Sequence, residues 1–137
     1  MSIGAEVAAH LPYLRRYARA LCGSQASGDA YVRATLEAAL ADAELARALA
    51  GGRVPLYAAF SRLWTSAQAE TVGEGGQSFH EAAAQVRLER VTPLSRQALL
   101  LTTLEDFSAA DAGTVLGLDA AEVAQLVASA VAEIDRS

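Results

Sequence analysis

Apolar residues recur along this chain at steps of three and four and almost nowhere at steps of two, a pattern that predicts helices throughout. The β-branched residues are scattered, while alanine and leucine repeat at helical spacing. A first run extends from about Leu11 to Cys22, with Pro12 near its start, where a fixed φ and a missing N–H are tolerated, and Gly23-Ser24 stop it. A second opens near Ser27 with Asp29 in its first turn and carries Tyr31, Val32, Leu36 and Leu40. A short helix over Ala43 to Ala50 is closed by Gly51-Gly52. From Pro55 a fourth run sets Leu56, Phe60, Leu63 and Trp64 on one strongly apolar face, which belongs in a core.

The segment Thr71 to Gln77, TVGEGGQ, is glycine-rich and lacks a periodic apolar pattern, which makes it the boundary candidate. The expected organisation is a helical lobe over residues 1–68, a linker over 69–77 and a second helical lobe over 78–137. Ser78-Phe79-His80-Glu81 matches a capping box, and Thr92-Pro93 supplies another helix start. Ser108 to Asp111 and Asp119 to Glu122 supply two more. The tail therefore reads as a helix of roughly nine residues, a tight turn at Gly117-Leu118-Asp119, and a longer helix to about Ile134, which is helix-turn-helix spacing.

The length of 137 residues allows one domain or two small ones, and a hydrophobic content of 53% is enough to build a core. All eleven basic residues are arginine, against sixteen acids and a net charge of −5, which disfavours a generic affinity for nucleic acid or anionic membrane. No stretch approaches the roughly 18 uncharged apolar residues of a membrane span, and the opening MSIGAEVAAH lacks a basic signal-peptide start, so a cytoplasmic location is expected. The single cysteine, Cys22, can close no intramolecular disulfide and has no second cysteine for a zinc site; it reads as a small buried hydrophobe. His10 and His80 are far apart, with no HExxH pair, phosphate-cradling loop or nucleophile motif beside them. No catalytic residue, cofactor or metal is expected, and Glu105-Asp106 reads as a solvated helix end.

The second helix of the tail, DAAEVAQLVASAVAEID, contains no Lys or Arg. Between Arg96 and Arg136 there is no basic residue at all, while Glu105, Asp106, Asp111, Asp119, Glu122, Glu133 and Asp135 are acidic. A DNA-reading helix needs side chains for base edges and cations for phosphates, and this one would forfeit most of the sequence-independent binding. Val123, Val127, Val131 and Ile134 form a stripe assigned mainly to the core. The opposite side, Ala121, Gln125, Ala128 and Ala132 with Leu126 and Ser129 at its flank, is small and uncharged and can accept a partner's amphipathic helix. The plainer reading of that face is an alanine-rich solvated helix.

Tyr17-Ala-Arg-Ala-Leu-Cys-Gly followed by Gly28-Asp-Ala-Tyr-Val-Arg-Ala-Thr-Leu-Glu-Ala-Ala-Leu resembles the paired helices of the second domain of extracytoplasmic-function sigma factors. The tail from Leu88 through Thr92-Pro-Leu-Ser-Arg-Gln is similar to their fourth domain. Two surfaces depart from working sigma factors. Val32-Arg33-Ala34-Thr35 stands where those proteins usually carry an acidic and glutamine surface for the polymerase. Pro55 to Glu70 has Arg62 as its only basic residue and ends in Ser66-Ala-Gln-Ala-Glu70, where a promoter-melting helix ends in paired arginines.

That combination, with the phrases HLPYLRRYARAL, SGDAYVRATLEA and TPLSRQALLL, resembles the sigma-like domain of PhyR-type response regulators. The resemblance implies an all-α fold of two lobes like sigma domains two and four, the second ending in the helix-turn-helix. It implies a sigma-factor mimic that binds an anti-sigma factor of the NepR type and so releases the genuine sigma factor in a bacterial general stress response, reading no DNA and touching no membrane. It also implies control by a C-terminal phosphorylatable receiver domain, for which this chain has no alternating strand-helix pattern, so it reads as a fragment. The expected partner contacts are Tyr31 and Leu36 on the first lobe and Ala121, Val123, Gln125, Leu126 and Ser129 on the second, with Val123 at the edge of the core stripe. The alternatives are a genuine sigma factor or other helix-turn-helix regulator, and a module that pairs with its own copy.

Overall fold

Val7, Leu14, Tyr17, Ala18 and Leu21 fall on one side of a helix and are buried, with Leu11 packed against them, and α1 (Ile3–Cys22) forms on that stripe. The computed structural model describes residues 3–74 and 93–136. Beyond α1 these comprise α2 (Gln25–Ala41), α3 (Ala43–Leu49), α4 (Arg53–Glu74), α5 (Pro93–Thr103), α6 (Ala109–Leu116) and α7 (Ala120–Arg136), with no strand among the described residues. Pro12 lies well inside α1 rather than near its start. A proline there removes a backbone hydrogen bond and costs about 3 kcal/mol. Burial of each large apolar side chain contributes about 1.5–3 kcal/mol, so the stripe of Val7, Leu14, Tyr17 and Leu21 outweighs it.

The turn after α1 starts the next helix earlier than its apolar pattern suggests. Ser24 is the N-cap of α2, its Oγ accepting from the Ser27 amide at 3.1 Å, so the helix begins at Gln25, just ahead of the expected start near Ser27. Gly28 is buried where α2 crosses α1. A Cβ there would stand 2.7–2.9 Å from the backbone of Ala18 and Arg19, so only hydrogen fits between the two helices. Asp42 caps α3 by accepting from the amides of Glu44 and Leu45.

On α4 the buried residues include Leu56, Tyr57, Phe60, Ser61 and Trp64, a face wider than the expected stripe, while Leu63 is half-buried. The helix also runs through to Glu74, so positions 69–74 of the expected linker are helical. Once nucleated, a helix propagates at little cost, and Ala67 to Glu70 are strong helix formers. Positions 75–77, the Ser78 to Glu81 capping box and Thr92 lie outside the described residues.

Helix α5 starts at Pro93 as expected and buries Ala98 and Leu101. Ser108 caps α6 by accepting from the Asp111 amide at 3.0 Å. Asp119 and Glu122 cap α7 reciprocally: the Glu122 amide donates to Asp119 Oδ1 at 2.8 Å and the Asp119 amide to Glu122 Oε1 at 3.2 Å. Helices α6 and α7 meet at 95° across Gly117-Leu118-Asp119, the geometry of a helix-turn-helix. Gly113 makes that turn possible. The Leu118 amide donates to its carbonyl at 2.8 Å, and any Cβ on Gly113 would overlap the Leu118 carbonyl oxygen.

The two lobes share one core, in which buried side chains run without interruption from Val7 and Leu14 through Tyr57 and Phe60 to Phe107, Val115 and Val123. No single described helix is long and apolar enough to cross a membrane.

Candidate partner-binding surface

Helix α7 packs against α5 and α6 along Val123, Leu126, Val127 and Ala130, which advance around the helix with the α-helical period. The stripe read from the sequence differs. Val131 is 45% exposed and Ile134 52%, whereas Ala130 is fully buried. Each step of four residues drifts by about 40° on an α-helix, so Val131 has rotated out of the core face by the time the line from Val123 reaches it. Ile134 keeps the right angle but sits at the exposed end of the helix.

Of the expected contacts on this helix, Ala121, Gln125 and Ser129 are exposed and share its outer side with Ala124, Ala128 and Ala132. Val131 borders that side. Val123 is fully buried and is a core residue, not a surface contact, and Leu126 is half-buried against the core. The outer side is therefore a shallow strip of small uncharged residues, with one apolar edge at Val131 and the exposed carboxylates of Glu122 and Asp135 at its two ends.

On the first lobe, Val7 and Leu11 of α1, Leu36, Ala39 and Leu40 of α2, and Ala46 and Leu49 of α3 line an apolar groove of about 430 Å³. Leu40 stands at its mouth, 89% exposed. Leu36 is thus on a groove wall. Tyr31 does not line this groove; it is half-buried against the core, about 140° around α2 from Leu36, so the two expected contacts are not on one face.

What the sequence reading missed is the seam between the lobes. Glu105, expected to be solvated, is 3% exposed. Its Oε2 accepts from Arg16 Nε of α1 at 3.0 Å and its Oε1 from the Tyr57 hydroxyl of α4. Arg53 donates to the Glu105 carbonyl at 3.0 Å while its guanidinium lies 4.0 Å over the Phe107 ring, and Arg16 also reaches the Leu104 carbonyl at 3.2 Å. Burial, and then the bond to Glu105, push the Tyr57 hydroxyl well above the usual phenol range, so it stays a donor. Farther along the seam the Ser61 hydroxyl donates to Gln97 Oε1, and Arg96 donates to the Leu21 carbonyl. No periodicity marks Glu105, because its partners lie 48 to 89 residues away.

Arg16, Arg53 and Arg96 are thus directed at backbone or carboxylate groups of the seam. Burial pushes the Cys22 thiol up to about 11, which keeps it protonated and unreactive at neutral pH. Among the described residues no group of three His, Cys, Asp or Glu could hold a metal ion.

Comparison with known proteins meets this geometry from the other side. Residues 7–61 match the family described as the Sigma2 domain of PhyR, and residues 88–137 match the sigma-like domain of the response regulator PhyR. The phyllosphere-induced regulator PhyR of Methylorubrum extorquens is 46% identical over 134 residues, covering 98% of this chain and 49% of that protein. The chain spans about half the length of that curated relative. In the PhyRSL–NepR complex from Sphingomonas sp. Fr1, the matching chain is 47% identical with a TM-score of 0.72, over 100% of this chain and 89% of that one. The anti-anti-sigma factor PhyR from Bartonella quintana, solved in complex with the anti-sigma factor NepR, is 34% identical with a TM-score of 0.74, over 98% and 50% of the two chains. Two lobes that match the two sigma-like segments of one regulator, in order and across almost their whole length, identify this chain as a member of the PhyR sigma-like family.

Proposed function

We propose that this chain binds a NepR-type anti-sigma factor in place of the genuine sigma factor, so that capture of the anti-sigma factor frees the sigma factor for transcription. The observation that carries this reading is the outer side of α7. It occupies the position of a DNA-reading helix, yet it presents alanine, glutamine and serine, and no cation occurs from Gln97 to Asp135. An amphipathic helix of the partner can lay its large side chains over such a strip, and the α1–α2–α3 groove offers a second apolar seat on the other lobe. The first lobe then acts as the domain-two-like surface and the second as the domain-four-like surface. The reading contains no catalytic step and no cofactor, and it places the complex in the cytoplasm, where transcription is controlled.

The 95° helix-turn-helix favours a second reading, a sigma factor that touches promoter DNA. Calorimetric titration with the NepR of the Sphingomonas complex and with promoter DNA, at two salt concentrations, separates the two. The expected result is NepR binding at nanomolar to micromolar strength with no salt-sensitive DNA binding. Promoter binding that weakens steeply with salt overturns it.

A further inference from the structure

Among the described residues Glu105 is the one fully buried charged side chain, and everything that holds it comes from the other lobe. It sits in the turn between α5 and α6. Arg16 of α1 and Tyr57 of α4 each take one carboxylate oxygen, and Arg16 and Arg53 take the carbonyls of Leu104 and Glu105. Three first-lobe side chains thus converge on two consecutive second-lobe residues. The next residue, Asp106, has φ 61°, the left-handed conformation that aspartate and asparagine enter more readily than other residues with a side chain.

Apolar surfaces such as Tyr57 against Phe107 tolerate sliding, because dispersion and burial have little direction. Charge-assisted hydrogen bonds do not: they fix both distance and angle. A buried ion pair is weak ground for stability, and its best-attested use is to specify one arrangement among several of similar energy.

We propose that Glu105 is a positioning residue, a clasp that holds the lobes at the one relative orientation in which a single partner chain can engage the α1–α2–α3 groove and the outer side of α7 together. This rests on the function proposed above and adds what sets its geometry. With the lobes held, the second contact becomes intramolecular, and this effect is worth about 10²–10⁴ in affinity when the geometry permits both contacts. With the clasp open, each lobe binds separately and most of that factor is lost.

The test follows lobe geometry and partner affinity in the same variants. Spin labels at Ser27→Cys and Thr114→Cys, both exposed positions on opposite lobes, in a Cys22→Ala background report the distribution of inter-lobe distances. Calorimetry with the Sphingomonas NepR reports affinity. Glu105→Ala is expected to broaden the distance distribution and to weaken NepR binding at least tenfold. Glu105→Gln keeps the volume and the bond from Tyr57 but turns a donor toward Arg16; Tyr57→Phe removes only a hydroxyl. Each is expected to broaden the distribution less and to weaken binding about threefold, and they carry the test if the alanine variant does not fold. A distribution that stays narrow in all three variants overturns the clasp, as does a broadened one with unchanged NepR affinity. Failure of the wild-type chain to bind NepR overturns the function proposed above; binding that the three variants leave intact overturns the clasp alone.

Discussion

Arg16 and Arg19, one turn apart on α1, make the two ion pairs seen among the described residues. The Arg19 pair has the better geometry: Nε and one terminal nitrogen meet the two oxygens of Asp29 at 2.9 and 3.0 Å, whereas Arg16 gives Glu105 a single bond at 3.0 Å. Burial ranks them the other way. The Glu105 side chain is 1% exposed and that of Asp29 32%. Water can replace Arg19 at Asp29, so that pair adds little; nothing can replace the groups that meet Glu105, so their loss leaves a buried charge unpaired. The Arg19 pair ties α1 to its neighbour within a lobe, and the Arg16 pair ties one lobe to the other. In the second lobe the buried carboxylate of Glu105 aligns the molecule, while the middle of the outer side of α7, from Ala124 to Ala132, carries no charge that a partner would have to desolvate.

The comparison breaks most visibly if the seam is emptied. Phe107 is buried, its ring lies 5.0 Å from that of Tyr57, and Arg53 stacks on its face. Phe107→Ala removes the apolar backing of the Glu105 network and is expected to lower stability by about 3–4 kcal/mol in urea denaturation. A loss below about 1 kcal/mol would mean that the lobes do not depend on this seam.

Adding charge to α7 sharpens the other half of the contrast. Ala128 is exposed in the middle of the neutral strip, so Ala128→Arg should change stability by less than about 0.5 kcal/mol. It should also weaken NepR binding about tenfold, or 1.4 kcal/mol. Leu126→Arg, at a half-buried position, should lower the melting temperature as well as the affinity. Calorimetry and thermal melts on the pair decide it; equal affinity of wild type and Ala128→Arg would remove α7 from the interface.

These variants also mark where the sequence was legible. Local signals carried well: Ser108, the Asp119-Glu122 box and Pro93 mark helix starts because a cap is a matter of three or four consecutive residues. Signals read over a longer span drifted. Pro12 looks like a start only if the burial of Val7 upstream is unknown, and the glycines after Thr71 look like a break only if helix propagation through Ala67 to Glu70 is undervalued. On α7 the neutral outer side was readable from composition, while the valine stripe was not, because steps of four leave the core face after one repeat. Glu105 was illegible for a physical reason: a carboxylate next to an aspartate at a helix end has the local appearance of a solvated pair, and only the fold brings Arg16, Arg53 and Tyr57 to it.

A smaller effect of opposite sign comes from Tyr17. Its ring is fully buried beside Tyr57 and Phe60, and its hydroxyl finds no hydrogen-bond partner among the described residues. Burial holds that hydroxyl well above the usual phenol range, so it stays neutral. A buried hydroxyl without a partner carries its full desolvation penalty, and Tyr17→Phe should therefore raise stability by about 1 kcal/mol. A thermal melt measures this as an upward shift of a few degrees; a downward shift would mean that the hydroxyl is satisfied in solution and belongs to the polar seam beside Glu105.

The smallest change is expected at the pair with the best geometry. Hydrogen bonding to Arg19 holds the Asp29 carboxyl below its ordinary value of 3.8. A carboxylate whose value is lowered on folding stabilises the native state above the unfolded value, and that contribution fades as the pH falls through the lower, folded one. Because both side chains are open to solvent, Asp29→Asn should leave the urea midpoint at neutral pH within error of wild type. Any residual difference should vanish as the pH falls through the lowered, folded value, where the wild-type carboxyl becomes protonated too. The carboxyl carbon of Asp29, followed by NMR through an acid titration, should titrate with a midpoint below 3.8. A midpoint at or above that value would show that the pair does not persist in solution, and a clear loss of stability at neutral pH would show that the exposed pair fixes α1 on α2 as firmly as Arg16 fixes one lobe on the other.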